Sequence, residues 1–145
     1  MSARKLLQEA ERWYGQAVDD LEAASALLAA QKYAQTCFYA QQAAEKALKA
    51  VWYFLGLDPW GHSCARLIQA LPDSEQSTFA EIIETALALD KLYIPTRYPD
   101  ALAELTPAEA FTKPEGQAAI ASAQRILDCV EARIYRIGSA EEESD

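Results

Sequence analysis

The sequence predicts an all-α domain, an up-and-down bundle of four to five helices that opens with two long antiparallel ones. Three observations predict it. Apolar residues recur at spacings of three and four over long stretches. Five glycines and six prolines in 145 residues are too few for a turn-rich β fold. Alanine, the best helix former, is abundant throughout. A chain of this length is expected to form one domain and to bury enough surface to need no covalent staple.

The elements follow in order. Leu6, Ala10, Trp13, Ala17, Leu21, Ala24 and Leu28 form one stripe of a helix from Ser2 to Ala30, about 40 Å long at the α-helical rise. Gln31 and Lys32 form the link. Cys37, Ala40, Ala44, Leu48, Val51 and Leu55 mark a second helix from Tyr33 to Leu55, and Gly56 suits a left-handed cap. A link this short makes the pair an antiparallel hairpin. Asp58, Pro59 and Gly61 mark a loop up to His62. A third helix runs from Ser63 to Leu71 and stops at Pro72. Ser74 or Ser77 caps a fourth, running to about Leu92 on Phe79, Ile82, Ile83, Ala86 and Leu89. Ile94 to Lys113 is irregular, broken by Pro95, Pro99 and Pro107, with one helical turn expected near Thr106–Glu109. Pro114 starts a fifth helix on Ala119, Ala123, Ile126, Val130, Ile134 and Ile137, which Gly138 ends. The domain is therefore placed at 1–138, with a disordered acidic tail at 139–145.

The net charge is −9, from 13 basic and 22 acidic residues. Residues 1–55 balance at six against six, so the excess lies in the rest of the chain and in Glu141, Glu142, Glu143 and Asp145. A chain of this sign repels phosphates at long range, which argues against non-specific DNA binding but leaves room for a local basic pocket. Cys37, Cys64 and Cys129 are odd in number and far apart, so a reducing cytoplasmic setting fits. No apolar run approaches a membrane span or a signal peptide. No zinc set and no glycine-rich phosphate loop is present, so no metal or cofactor is expected.

The second helix carries Cys37-Phe38-Tyr39-Ala40-Gln41-Gln42-Ala43-Ala44-Glu45-Lys46-Ala47-Leu48-Lys49-Ala50. This stretch resembles the signature helix of HEPN domains. Ala17-Val18-Asp19-Asp20-Leu21 with Leu27-Leu28, then His62-Ser63, then Leu89-Asp90-Lys91-Leu92-Tyr93 with Thr96-Arg97-Tyr98-Pro99-Asp100, resemble further pieces of the same family in the same order. The likeness spans roughly residues 10–135. It implies a helical bundle, often a homodimer, with a link to nucleotides or RNA. Small members of this kind are similar to toxins or accessory subunits paired with a minimal nucleotidyltransferase.

One family feature is missing. The ribonuclease members carry an Arg followed after four to six residues by a His. His62 is the only histidine, and the positions that would need the Arg hold Leu55, Gly56 and Leu57. After Arg97, the positions that would need the His hold Leu102, Ala103 and Glu104. Attack by a ribose 2′-hydroxyl needs a group that moves protons near neutral pH, and Arg cannot serve.

The candidate ligand-binding residues are Arg97, Tyr98, Asp100, His62, Lys46 and Lys49. Arg97 either anchors a phosphate, with Tyr98 stacking on a base, or pins its loop by pairing with Asp100 or Asp90. His62 either meets a phosphate or helps Ser63 cap the third helix. Trp60 either stacks on a base or is buried in a core or interface. Lys46 and Lys49 share a helix face and either bind phosphate or form a solvated surface with Glu45. Asp19 and Asp20 point about 100° apart, which is poor geometry for an acid–base pair.

Two functional classes follow. The first is a non-catalytic, nucleotide-linked binding and dimerisation module that docks a nucleotidyltransferase, with no catalytic residue assigned. The second is a metal-independent ribonuclease toxin with a displaced site, which requires His62 and Arg97 to meet in space. A separation above about 10 Å would exclude their direct cooperation.

Overall fold

The computed structural model describes residues 1–137; Gly138 and the acidic tail lie outside them. Among the described residues the chain is all-helical with no strand. Helix α1 spans Ala3–Ala29 and α2 spans Tyr33–Phe54. Short helices α3 (Cys64–Gln69), α4 (Asp73–Phe79) and α5 (Ile83–Asp90) follow. A single turn, α6 (Pro107–Ala110), precedes the long α7 (Lys113–Glu131). No helix in this span is long and apolar enough to cross a membrane.

The first two helices are antiparallel because the chain reverses in three residues. Gln31 takes a left-handed φ of 64°. Its N–H reaches Leu28 O at 3.0 Å and that of Lys32 reaches Leu27 O at 2.9 Å. This is a Schellman closure made without glycine. Gly56 (φ 73°) closes α2 the same way, with Leu57 N on Trp52 O at 2.9 Å. Helix α2 is the centre of the bundle. Ala40, Ala43, Ala44, Ala47 and Ala50 are all fully buried, and their small side chains let α1 and α7 approach on two sides. Phe79, Leu48, Ile68, Leu89, Ile126, Leu127 and Ile134 fill the remaining core.

Two expectations about the later helices are corrected. The fourth predicted helix is not continuous: a 3₁₀ turn at Ala80–Ile82 separates α4 from α5. Neither Ser74 nor Ser77 caps it, because it starts earlier, at Asp73 after Pro72. Asp73 and Glu75 in its first turn favour that start electrostatically. Gln76 then caps the previous helix, donating to the carbonyls of Ile68 and Leu71 at 2.9 and 2.8 Å. The last helix begins at Lys113, one residue before Pro114. Thr112 and Glu115 form a capping box there. Beyond Glu131 it widens into π-helical turns over Ala132–Ile137. The expected turn at Thr106 is present as α6, with its own capping box to Glu109.

Candidate functional site

The loop from α2 to α3 and the loop after α5 meet beside the middle of α2. Gly61 (φ 94°) turns the backbone just before His62. Gln41, fully buried on α2, donates to the His62 carbonyl at 3.1 Å and so ties that loop to the bundle. Ser63 caps α3 by accepting from Arg66 N at 3.1 Å. Asp90, the last residue of α5, accepts from Ser63 Oγ (2.7 Å), Cys64 N (2.6 Å) and Ala65 N (3.1 Å). One carboxylate thus satisfies two orphan donors of α3 and fixes the two loops against each other.

This frame brings His62, Tyr93, Arg97 and Tyr98 together. The imidazole stacks on Tyr93, with ring centroids 5.0 Å apart and planes 14° from parallel. The Arg97 guanidinium carbon lies 4.2 Å from the Tyr93 centroid, 5.0 Å from that of Tyr98 and 5.1 Å from that of Phe38. Laid end to end, the 5.0 and 4.2 Å separations hold His62 and Arg97 within about 10 Å of each other. The separation that would exclude their direct cooperation is therefore not reached.

Arg97 pairs with neither of the carboxylates considered for it. Asp90 is occupied at α3, and Asp100 lies exposed in the 3₁₀ turn Pro99–Ala101. The Arg97 Nε donates to Tyr93 O at 2.9 Å, which orients the group. Its terminal nitrogens have no protein acceptor among the described residues. The charge is held by three aromatic faces, which leaves the guanidinium fork free for an anion.

His62 does not cap α3. Its Nδ1 lies 3.3 Å from Glu45 Oε1, and its side chain is 60% exposed against 5% for Glu45. Glu45 also meets Lys49 Nζ at 3.2 Å. A buried carboxylate on Nδ1 orients the ring and leaves Nε2 as the nitrogen for a base or a phosphate contact. Lys49 faces the same network and is largely buried, so the Glu45–Lys49 pair is no solvated surface. Lys46 points elsewhere. It pairs with buried Asp20 in a crevice shared with Glu9, Arg12, Trp13 and Gln16. Cys64 is fully buried, and burial together with Asp90 holds its thiol well above the usual value, so it is no nucleophile. Among the described residues no cluster of His, Cys, Asp and Glu has the makings of a metal site.

Sequence reasoning missed Tyr93, on which the cluster is built, and the roles of Glu45 and Gln41. Tyr93 gave no signal beyond its place in the stretch Leu89-Asp90-Lys91-Leu92-Tyr93 that resembles the family. Glu45 gave one: it lies on the apolar side of α2 beside Ala44 and Leu48, where a carboxylate needs a partner.

The comparisons agree with this architecture. A protein from Methanocaldococcus jannaschii, MJ1304, provisionally named as a toxin, is 26% identical over 132 residues, covering 86% of this chain and 87% of its own. The crystal structure of TT1696 from Thermus thermophilus superposes with a TM-score of 0.81 at 42% identity, over 85% of this chain and 96% of that one. ST0689, described as an archaeal HEPN homologue, gives 0.73 at 38% identity, over 87% and 98%. The HEPN domain model matches residues 10–133, and the chain belongs to the HEPN domain family.

Proposed function

We infer that this HEPN protein is a toxin-type module that binds the phosphate of a nucleotide or an RNA strand at the Arg97–Tyr93–His62 cluster. The observation that carries the reading is the Arg97 guanidinium, oriented by Tyr93 and carrying no carboxylate partner among the described residues. In a chain of net charge −9 such a group attracts anions only locally, which favours a defined ligand over bulk nucleic acid. The similarity to a protein named as a toxin supports a paired arrangement, with a minimal nucleotidyltransferase as the partner and a homodimer as the working assembly.

Titration of the protein with AMP and with a short RNA tests it. Arg97→Ala should weaken binding by roughly ten- to a hundredfold, the loss of a charge-assisted contact of about 1.5–3 kcal/mol. Arg97→Lys should recover only part of it, because a point charge does not reproduce the fork. Equal affinity in wild type and Arg97→Ala would remove the site. A gene for a minimal nucleotidyltransferase should lie beside this one and its product should co-purify with this protein; absence of the gene or of the complex would remove the partner.

A second reading, metal-independent RNA cleavage, is favoured by the Glu45–His62 contact. His62 Nε2 would take the 2′-hydroxyl proton, the 2′-oxygen would attack phosphorus with Arg97 on the phosphate, and the 5′-oxygen would leave with a proton from water or from the new imidazolium. That scheme asks one imidazole to serve in turn as base and acid, and His62 is the only histidine of the sequence. Binding asks only for the oriented guanidinium and is the conclusion. RNA turnover in chelator that is lost in both His62→Ala and Glu45→Gln would establish cleavage instead.

A further inference from the structure

His62 belongs to two surfaces. One side of its ring lies on Tyr93. It also lines a groove of about 480 Å³ together with Trp52, Trp60, Arg66, Leu67 and Ala70. That volume lies in the usual range for ligand sites, about 300–1,000 Å³. Trp52 spends its indole N–H on Leu67 O at 3.0 Å, so it presents carbon to the groove. Trp60 is 85% exposed. It is therefore in no core, and a large aromatic held in water beside a groove lacks a partner.

The charges agree. The Arg66 guanidinium at the groove forms no ion pair among the described residues and donates only to Gln69 Oε1, at 3.1 Å. With Arg97 it gives two guanidinium groups without carboxylate partners among the described residues, in an acidic protein. An exposed aromatic platform, an apolar lining and cations without carboxylate partners are what a single-stranded nucleic acid requires: bases stack, and phosphates meet the cations.

We propose that the Trp60–Arg66 groove is a nucleobase subsite, and that the ligand is a single-stranded oligonucleotide of at least two nucleotides lying across His62. One base stacks on Trp60, one phosphate reaches Arg97 beside His62, and Arg66 on the groove meets another phosphate. This rests on the phosphate site inferred above and adds to it a base-stacking surface on Trp60. A mononucleotide fills only part of the track.

The test is fluorescence anisotropy of a labelled RNA tetranucleotide, and of its DNA counterpart, with wild type, Trp60→Ala, Trp60→Tyr, Arg66→Ala and Arg97→Ala. Sedimentation velocity reports the assembly state of each. Trp60→Ala should weaken binding by roughly five- to a hundredfold, the loss of one stacked base, and Trp60→Tyr should restore most of it. Arg66→Ala should lower the slope of log affinity against log salt by about 0.7, the loss of one single-strand phosphate contact. Trp60 is exposed, so its replacement leaves the fold intact. Unchanged affinity in Trp60→Ala with a large loss in Arg97→Ala would overturn the groove and leave the phosphate site standing. The reverse pattern would keep the groove and sink the phosphate site. Loss of the dimer in Trp60→Ala with unchanged affinity would make this surface a subunit interface, and the proposal would fall. No binding by wild type would refute both.

Discussion

Replacing Asp90 tests the frame on which the whole site rests. Its carboxylate accepts three hydrogen bonds, from Ser63 Oγ and from the backbone of Cys64 and Ala65, at 2.7, 2.6 and 3.1 Å. Cys64 and Ala65 are both buried, so in Asp90→Ala their N–H groups find neither protein nor easy water. Each lost bond to a charged acceptor costs about 1.5–3 kcal/mol, and bonds to one group do not add fully. A total near 3–4 kcal/mol follows, a large share of the roughly 5–15 kcal/mol that holds a domain together. Asp90→Asn keeps one acceptor oxygen and should lose about half as much. Urea unfolding followed by tryptophan fluorescence measures it: with a slope of about 2 kcal/mol per molar, the midpoint should fall by about 1.5–2 M in Asp90→Ala. A fall below about 0.3 M would mean that α3 is held by its apolar face alone and that Asp90 is not its anchor.

Other substitutions separate packing from chemistry. Glu75 holds buried Arg133 through bonds of 2.7 and 3.3 Å, and Arg133 also lies over Phe54. Glu75→Ala strands a guanidinium in the interior and should cost about 3–5 kcal/mol in chemical denaturation, while Glu75→Leu with Arg133→Met should recover most of it. Gly15 lies exposed inside α1 with nothing within 4 Å of a Cβ; Gly15→Ala should stabilise by about 0.5–1 kcal/mol, seen as a melting point raised by a few degrees. Gly116 differs, because a Cβ there would stand 3.1 Å from Leu28 Cδ1 and 3.3 Å from Thr36 Cγ2. Gly116→Ala should bring no gain in the same melt, and Gly116→Val should lose about 1–3 kcal/mol.

The long helices were legible because each repeats its apolar pattern over many turns. The stripe from Leu6 to Leu28 recurs seven times, and its Ala10, Ala17, Leu21 and Ala24 are all buried. The short helices were not legible to the same degree, since a single turn gives periodicity little to work on. The break at Ala80–Ile82 leaves Phe79, Ile82 and Ala86 in the core and so hardly disturbs the pattern. Local polar bonds decide such boundaries. Thr106 and Thr112, each with a glutamate three residues on, could be read as caps; Gln76 could not, because its acceptors belong to the preceding helix.

The site was legible in its residue types and illegible in its pairing. Arg97 and His62 stand 35 positions apart, so a motif defined by a gap of four to six residues fails on both. The chemistry that motif supplies is a guanidinium near an imidazole, and chain separation is no part of it. Here α2 provides a buried carboxylate for the imidazole, and the Tyr93 ring packs against both groups. A missing spacing therefore excludes the usual route to the pair while leaving the pair itself open. What separates this arrangement from the linear motif is its dependence on Asp90 and Gln41, which hold the two loops at one place on α2. A linear motif on one helix survives loosening of its neighbours. This one should not, so Gln41→Leu, which removes no charge and touches no ligand, should weaken oligonucleotide binding along with Asp90→Asn, and a ligand affinity indifferent to both would show that His62 and Arg97 act separately.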